Sequence, residues 1–271
     1  VASHIRALGS QCNLISIIGN DKNGEFVRDK LNKNSINESL IFDASRPTTF
    51  KKRYLVENQK LFRVSKLDDS QVSEDIENEL IKNIENLGPE SNCIVISDFV
   101  YGVITEKILM KTKEISRRYS IPLIGDIQCS SQVGSLMKFT DFSLLCPNEK
   151  EARIAIRDNQ SGIERISNDI ISSLNIQGLI MKLGPNGFIA YDSSDKENII
   201  RQGFPALTVN PLDVAGAGDS IMAVMANGLA SNHRMITTSA LACCMSSISV
   251  SKMGNIPINS SELINCLNTL F

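Results

Sequence analysis

Histidine is nearly absent: the 271-residue chain has two, His4 and His233. A histidine-based metal site or a Ser-His-Asp triad therefore has almost nothing to be built from. The seven cysteines include no C-x-x-C pair, their number is odd and their spacing irregular, so neither a disulfide framework nor a zinc site is expected. Positive charge is not in excess either. Lys+Arg number 28 and Asp+Glu 30, a net charge of −2, which argues against a nucleic-acid partner. Long apolar runs are also missing. The longest uncharged stretch near the C-terminus, 235–251, is rich in Ser and Thr and too short and polar to span a membrane, so no membrane partner is expected.

What is present is a globular composition, 42% hydrophobic and 21% charged, which excludes a disordered chain, a collagen-like fibre and a coiled coil. The length suits one large α/β domain or two small ones. Cys93 (in CIVIS) and Cys146 (in LLCPN) lie in apolar runs and read as reduced thiols of a cytoplasmic protein. The chain begins at Val1 with neither Met nor a signal peptide, and reads as part of a longer protein.

The apolar periodicity predicts a helix closed by Gly9, a strand over 13–19, a helix over 24–33 and a strand over 39–42. Two runs of β character, 48–56 and 60–66, are separated by ENQ and read as a hairpin or a pair of lid strands. From residue 72 strands alternate with helices. The helices fall at 72–87, 105–119, 148–156 and 163–174, and the strands at 92–97, 122–125, 142–146 and 179–183. Short strands at 188–191 and 198–201 and helices at 216–231, 235–251 and from 260 complete the chain. Such alternation predicts an α/β fold with a mostly parallel sheet, helices on both faces, and ligands at the carboxyl ends of the strands.

Three motifs carry chemistry. Asp213-Val214-Ala215-Gly216-Ala217-Gly218-Asp219 opens the apolar helix SIMAVMANGLA. Small residues there let backbone N–H groups approach an anion, which the helix dipole favours. A carboxylate in that loop is suited to taking a proton from a hydroxyl that attacks phosphorus. Asp219 as a plain helix-capping residue is the alternative. Asn148 and Glu151, in Pro147-Asn148-Glu149-Lys150-Glu151, sit three apart on a first helical turn. They are placed to order water around a Mg²⁺–phosphate unit, or simply to start a helix. Lys182-Leu183-Gly184-Pro185-Asn186-Gly187 puts a lysine at a strand end before a tight turn, to meet a nucleotide phosphate or to form an ordinary hairpin.

In this order and at these spacings the three motifs resemble the signature set of the ribokinase-like (PfkB) carbohydrate kinases. The opening VASHIRALG and the Gly19, Asp21, Gly24 turn extend the likeness over nearly the whole chain. The resemblance implies a ribokinase-like three-layer sandwich, a single domain over residues 1–271, with a β lid inserted at 45–66. It places that family's first strand, with its Gly-Gly and sugar-binding Asp, before Val1. It implies an ATP- and Mg²⁺-dependent sugar kinase with Asp219 as base and the amides of Gly216, Ala217 and Gly218 as anion hole. Lys182, Gly184, Gly187 and Asn148 would meet the nucleotide, and Asn148 and Glu151 would govern Mg²⁺ largely through water.

Within the family, RPTTFKKRYLVENQKLFRVS and SDFVYGVIT are similar to segments of the heptose-7-phosphate kinase domains of bifunctional ADP-heptose synthases. That likeness makes Arg46, Lys51, Arg63, Asp98 and Asp126 substrate-binding candidates and implies a sugar-phosphate substrate and a homodimer formed through the lid. Arg46, Lys51, Arg53 and Arg63 lie on or beside the lid strands, where they suit a sugar phosphate or a solvated edge. Two departures stand out. Tyr101 occupies a lysine position of the subgroup, and Asp126-Ile127-Gln128 replaces its D-P-K. A PfkB-type kinase for another sugar or a nucleoside, and a non-catalytic binding module of the same fold, are the rival readings.

Overall fold

Alternating side chains on a few short strands set the architecture. The computed structural model describes residues 1–56, 59–128, 135–208 and 210–270; the tip of the ENQ turn and Cys129 lie outside them. In chain order the elements are α1 (Ala2–Ala7), β1 (Asn13–Ile18), α2 (Lys22–Lys33), β2 (Asn37–Phe42), β3 (Phe50–Val56), β4 (Gln59–Lys66), α3 (Glu74–Leu87) and β5 (Ile94–Asp98). Then follow α4 (Glu106–Tyr119), β6 (Leu123–Ile127), β7 (Leu144–Leu145), α5 (Glu149–Ile156), α6 (Ile163–Leu174) and β8 (Gly178–Lys182). Last come β9 (Phe188–Asp192), β10 (Ile200–Phe204), α7 (Ala217–Ala230), α8 (Met235–Val250) and α9 (Ser260–Leu270).

The main sheet runs β10-β9-β8-β7-β6-β5, parallel from β5 to β8 and antiparallel from β8 to β10. Period-two alternation gives it two apolar faces. Ile124, Leu144, Ile180, Phe188 and Ala190 pack with α7 and α8, including Met222, Met225 and Ala242. Leu123, Leu145, Leu179, Met181 and Tyr191 pack on the other side with Leu109 of α4, Ala152 of α5 and Ile166 of α6. The result is the expected three layers, helices on both faces of a mostly parallel sheet.

One strand pair departs from the single-sheet expectation. Among the described strands, β1 and β2 pair only with each other, in parallel. They are held instead by a smaller core in which Ile15, Ile17 and Ile41 meet Leu80 of α3 and Ile108 of α4. Strands β3 and β4 form a separate antiparallel hairpin within the segment read as a lid. Among the described residues no helix is long and apolar enough to cross a membrane.

Candidate active site

Parallel strands deliver their carboxyl ends to one edge of the sheet, and here three of them carry charge. Asp98 ends β5, Asp126 lies in β6 and Lys182 ends β8. The Lys182 ammonium donates to Asp126 Oδ1 at 2.9 Å, with the Asp126 side chain 2% exposed and that of Lys182 17% exposed. Burial pushes the Asp126 carboxyl up, against the pull of the lysine charge. Burial also works to lower Lys182, but the charge and hydrogen bond of Asp126, together with nearby Cys146 and Glu151, outweigh it and raise the ammonium above its usual value. The two directions pull on the pair in opposite senses. The short contact, and a lysine that stays protonated, favour an ion pair.

The Gly-Ala-Gly-Asp run meets this pair from above. Gly216 caps α7 with φ of 90°, and the side chain of Asn255 fills the space where a Cβ would stand, Oδ1 lying 2.2 Å from that point. A side chain at 216 would therefore be strained and would displace Asn255. Gly218, on the first turn, has the Lys182 ammonium 3.3 Å from its own missing Cβ. One turn of helix thus presents its N–H groups beside a buried cation, an arrangement suited to an anion.

Asp219 stands at the third position of α7. Its Oδ1 accepts from Gln128 Nε2 at 3.2 Å and its Oδ2 from Asn255 Nδ2 at 2.8 Å. Gln128 also reaches Asp126 Oδ2 at 3.4 Å. Asp126, Gln128, Lys182 and Asp219 therefore form one network, with a carboxylate poised at its edge. Gln128 stood out in the sequence only as a departure from a lysine pattern. Asn255, a lone polar residue in the loop after α8, gave no signal at all.

Asn148 and Glu151 face each other. Asn148 Oδ1 accepts from the Glu151 N–H at 2.9 Å and Glu151 Oε2 accepts from the Asn148 N–H at 2.9 Å, a capping box that starts α5. Beside it opens a cleft of about 490 Å³ lined by Asn148, Lys150, Arg153, Lys182 and Gly184. Gly184 opens the turn from β8 to β9 and Gly187 closes it, its carbonyl accepting from the Leu183 N–H at 2.8 Å. Among the described residues no group of three or more His, Cys, Asp or Glu is arranged to hold a metal ion. Mg²⁺ fits here only as an ion carried by phosphates and reached through water, for which a carboxylate such as Glu151 retains acceptor lone pairs.

The hairpin has two unlike faces. Phe50, Tyr54, Phe62 and Val64 share one with Lys52 and Lys66, with Tyr54 and Phe62 stacked at 4.5 Å and the Lys52 ammonium 4.8 Å over the Tyr54 ring. Lys51, Arg53 and Arg63 share the other. Lys51 lies over the rings of Phe99 (5.0 Å) and Tyr101 (4.9 Å), so the basic face looks onto the loop after β5. In that loop region Asp98 accepts from the Val100 N–H at 2.8 Å and pairs with Lys138.

Arg46 is placed differently from the other lid cations. It is 8% exposed. Its guanidinium donates to Asp43 Oδ2 (2.7 Å) and to the carbonyls of Ser70 (3.1 Å), Gln71 (3.2 Å) and Tyr101 (3.3 Å). These bonds root the hairpin on the body. Burial works to raise the Asp43 carboxyl, but hydrogen bonds from Ser45 and the Arg46 charge outweigh it and hold it below the usual range. A lowered carboxyl contributes stability at pH values above its unfolded pKa and loses it as the pH falls below. The thermal midpoint should therefore fall more steeply in the wild type than in Asp43→Asn between about pH 5 and pH 2. Parallel acid melting curves for the two proteins would remove this account.

The sequence profile described as pfkB family carbohydrate kinase matches residues 1–262. The bifunctional protein HldE of Geobacter sulfurreducens is 26% identical over 276 residues, covering 98% of this chain and 54% of the relative. That of Campylobacter jejuni is 28% identical over 270 residues, covering 97% and 54%. The chain thus spans about half the length of the curated relatives it matches. Among solved structures, phosphofructokinase-2 from Escherichia coli in complex with substrates and products superposes with a TM-score of 0.81 at 21% identity, covering 99% of this chain and 85% of that one. Ribokinase from Thermotoga maritima superposes at 0.75 with 20% identity, covering 98% and 85%. These two likenesses concern the fold.

Proposed function

We propose that this chain, which belongs to the pfkB family of carbohydrate kinases, uses ATP to phosphorylate a hydroxyl of a sugar phosphate. The observation that carries the reading is Asp219 on the first turn of α7, one residue from a glycine that the Lys182 ammonium approaches. Asp219 takes the proton of the attacking hydroxyl. The N–H groups of Gly216, Ala217 and Gly218, with Lys182, face the negative charge of the phosphoryl group in flight. The cleft beside Asn148 and Gly184 takes the nucleotide. Mg²⁺ bound with that nucleotide would offset phosphate charge, steered through water by Asn148 and Glu151.

The basic face of the hairpin supports a phosphate on the acceptor. Arg53 and Arg63 stand directly opposite each other across the strands with Lys51 on the same face, which gathers three cations of the kind that bind phosphate. We therefore assign the acceptor's phosphate to Arg63 and Lys51, and leave Arg46 to the root of the hairpin. A heptose 7-phosphate is the first candidate, by likeness to the bifunctional relatives. Sugar-dependent ADP release over a panel of heptose 7-phosphate, fructose 6-phosphate, free sugars and nucleosides tests it. Phosphorylated sugars should lead. Arg63→Gln should then raise KM for the acceptor by the equivalent of about 1.5–3 kcal/mol, the range for hydrogen bonds to charged groups. Preference for a free sugar or a nucleoside would sink the assignment.

The aromatic face supports a homodimer through the lid. Phe50, Tyr54, Phe62 and Val64 are all exposed on it, interrupted by Lys52 and edged by Lys66, and large apolar side chains gathered on one exposed face favour an interface. Light scattering should give a dimer mass that falls to the monomer in Phe62→Asp; an unchanged mass would remove the lid from the interface. The six cysteines among the described residues are free thiols, which suits the reducing cytoplasm proposed for the protein.

A further inference from the structure

A buried histidine stands behind Asp219, and the donor chemistry of its surroundings leaves it only one arrangement. The Asp219 carboxylate can only accept, so the Asn255 group facing it at 2.8 Å is Nδ2. Asn255 Oδ1 then faces His4 Nε2 at 2.7 Å and must receive a proton, so Nε2 carries the hydrogen. His4 Nδ1 in turn faces the Ile258 N–H at 3.4 Å and must accept from it. Every link points the same way: Ile258 N–H to His4, His4 to Asn255, Asn255 to Asp219.

The surroundings keep this polarity. His4 is 1% exposed. Its imidazole is held below its ordinary value, first by burial. The ring is therefore neutral, and the Ile258 N–H selects which nitrogen is protonated. The Asn255 amide lies across the bare Cα of Gly216, where any side chain would collide with it. The loop before α7 is tied to the same segment, Asp213 Oδ2 accepting from the Gly254 N–H at 3.2 Å and Oδ1 from the Ala215 N–H at 3.0 Å. Helix α1, which carries His4, packs on α7, which carries Asp219. Two ends of the chain, 251 positions apart, thus meet behind one carboxylate.

We infer that His4 and Asn255 are positioning residues for phosphoryl transfer: His4 fixes the amide of Asn255, and Asn255 fixes the orientation of the Asp219 carboxylate toward the attacking hydroxyl. The inference rests on the reading of Asp219 as the base. Neither residue is asked to exchange a proton with substrate. Without the amide, Asp219 keeps, among the described residues, the longer side-chain contact to Gln128 and turns away from the productive angle, so the rate falls while nucleotide binding, built on Lys182 and the α7 amides, does not.

Sugar-dependent ADP release tests it. Asn255→Ala and His4→Leu should each lower kcat about tenfold or more, the scale of one lost hydrogen bond to a charged group, with KM for ATP unchanged. The double variant should be no slower than Asn255→Ala alone, because both changes remove the same tether. His4→Gln, which keeps an N–H donor near the position of Nε2, should recover most of the rate. Asn255 is exposed, so Asn255→Ala decides the matter even if His4→Leu does not fold. Independently of activity, ¹⁵N NMR of the histidine rings should show His4 as the Nε2–H tautomer. Native kcat in Asn255→Ala, additive losses in the double variant, or an Nδ1–H tautomer would each overturn the proposal. Failure of the base reading looks different: Asp219→Asn itself would then retain the wild-type kcat.

Discussion

Asp219→Asn should lower kcat by at least ~10²-fold, the scale of lost general-base catalysis, and leave ATP affinity nearly unchanged. The change keeps the size of the side chain and removes its proton-accepting charge. It also sets a donor among donors. Oδ2 of Asp219 faces an Asn255 amide that His4 holds in one orientation, so the oxygen of the new amide must stay on that side. Its NH₂ group then faces Gln128, which can turn its own oxygen inward by giving up the 3.4 Å contact to Asp126. The network thus adapts with one weak bond lost, and the fold should survive. The N–H groups of α7 and the Lys182 ammonium are untouched, which is why nucleotide binding should persist. Calorimetry with ATP and a coupled ADP assay separate the two effects. A variant with near-native kcat would return Asp219 to the role of a capping residue.

The parts of this site that lie in one short run were legible in the sequence, and the parts assembled from distant segments were not. Gly216 to Asp219 are contiguous, and small residues opening an apolar helix have a local physical meaning. Lys182 could be placed because a strand followed by Gly-Pro-Asn-Gly fixes where the strand ends. The layered sheet was legible for the same reason, since each strand is a short apolar run bounded by turn residues. Asn148 and Glu151 carried two meanings at the same spacing, and the capping box is the one whose hydrogen bonds the structure draws. Arg46 illustrates the limit. Its type and its place beside the lid strands suit a phosphate, but burial is a tertiary property, and three carbonyls from loops about 25 and 55 residues away occupy its guanidinium. His4 read as part of an opening helix, with nothing nearby to show that it faces the loop after α8. The separate pairing of β1 with β2 likewise has no local signal, because a strand's own residues do not name its neighbour.

The largest loss of stability is expected from Lys182→Met, about 3–5 kcal/mol, the cost of breaking a buried ion pair by removing one partner. Methionine replaces most of the lysine stem, so little packing is lost and the deficit comes from charge. Asp126 is 2% exposed and would be left with the 3.4 Å amide of Gln128 as its described side-chain partner. Burial already pushes its carboxyl up while the lysine is present. Without that cation the folded protein prefers the protonated acid even more strongly. The sign of the pH dependence follows. A carboxyl raised in the folded state loses stability as the pH rises above its unfolded value, about 3.9, so the deficit should be full near neutrality and shrink on acidification. The double change Lys182→Met with Asp126→Asn removes both charges and should recover much of the loss, since replacing a whole buried pair is close to neutral. Urea unfolding of the three proteins at pH 7 and near pH 4 measures each term. If Lys182→Met unfolds at the wild-type urea midpoint at pH 7, water reaches Asp126, and the dry ion pair at the carboxyl edge of the sheet is not what holds this corner of the site.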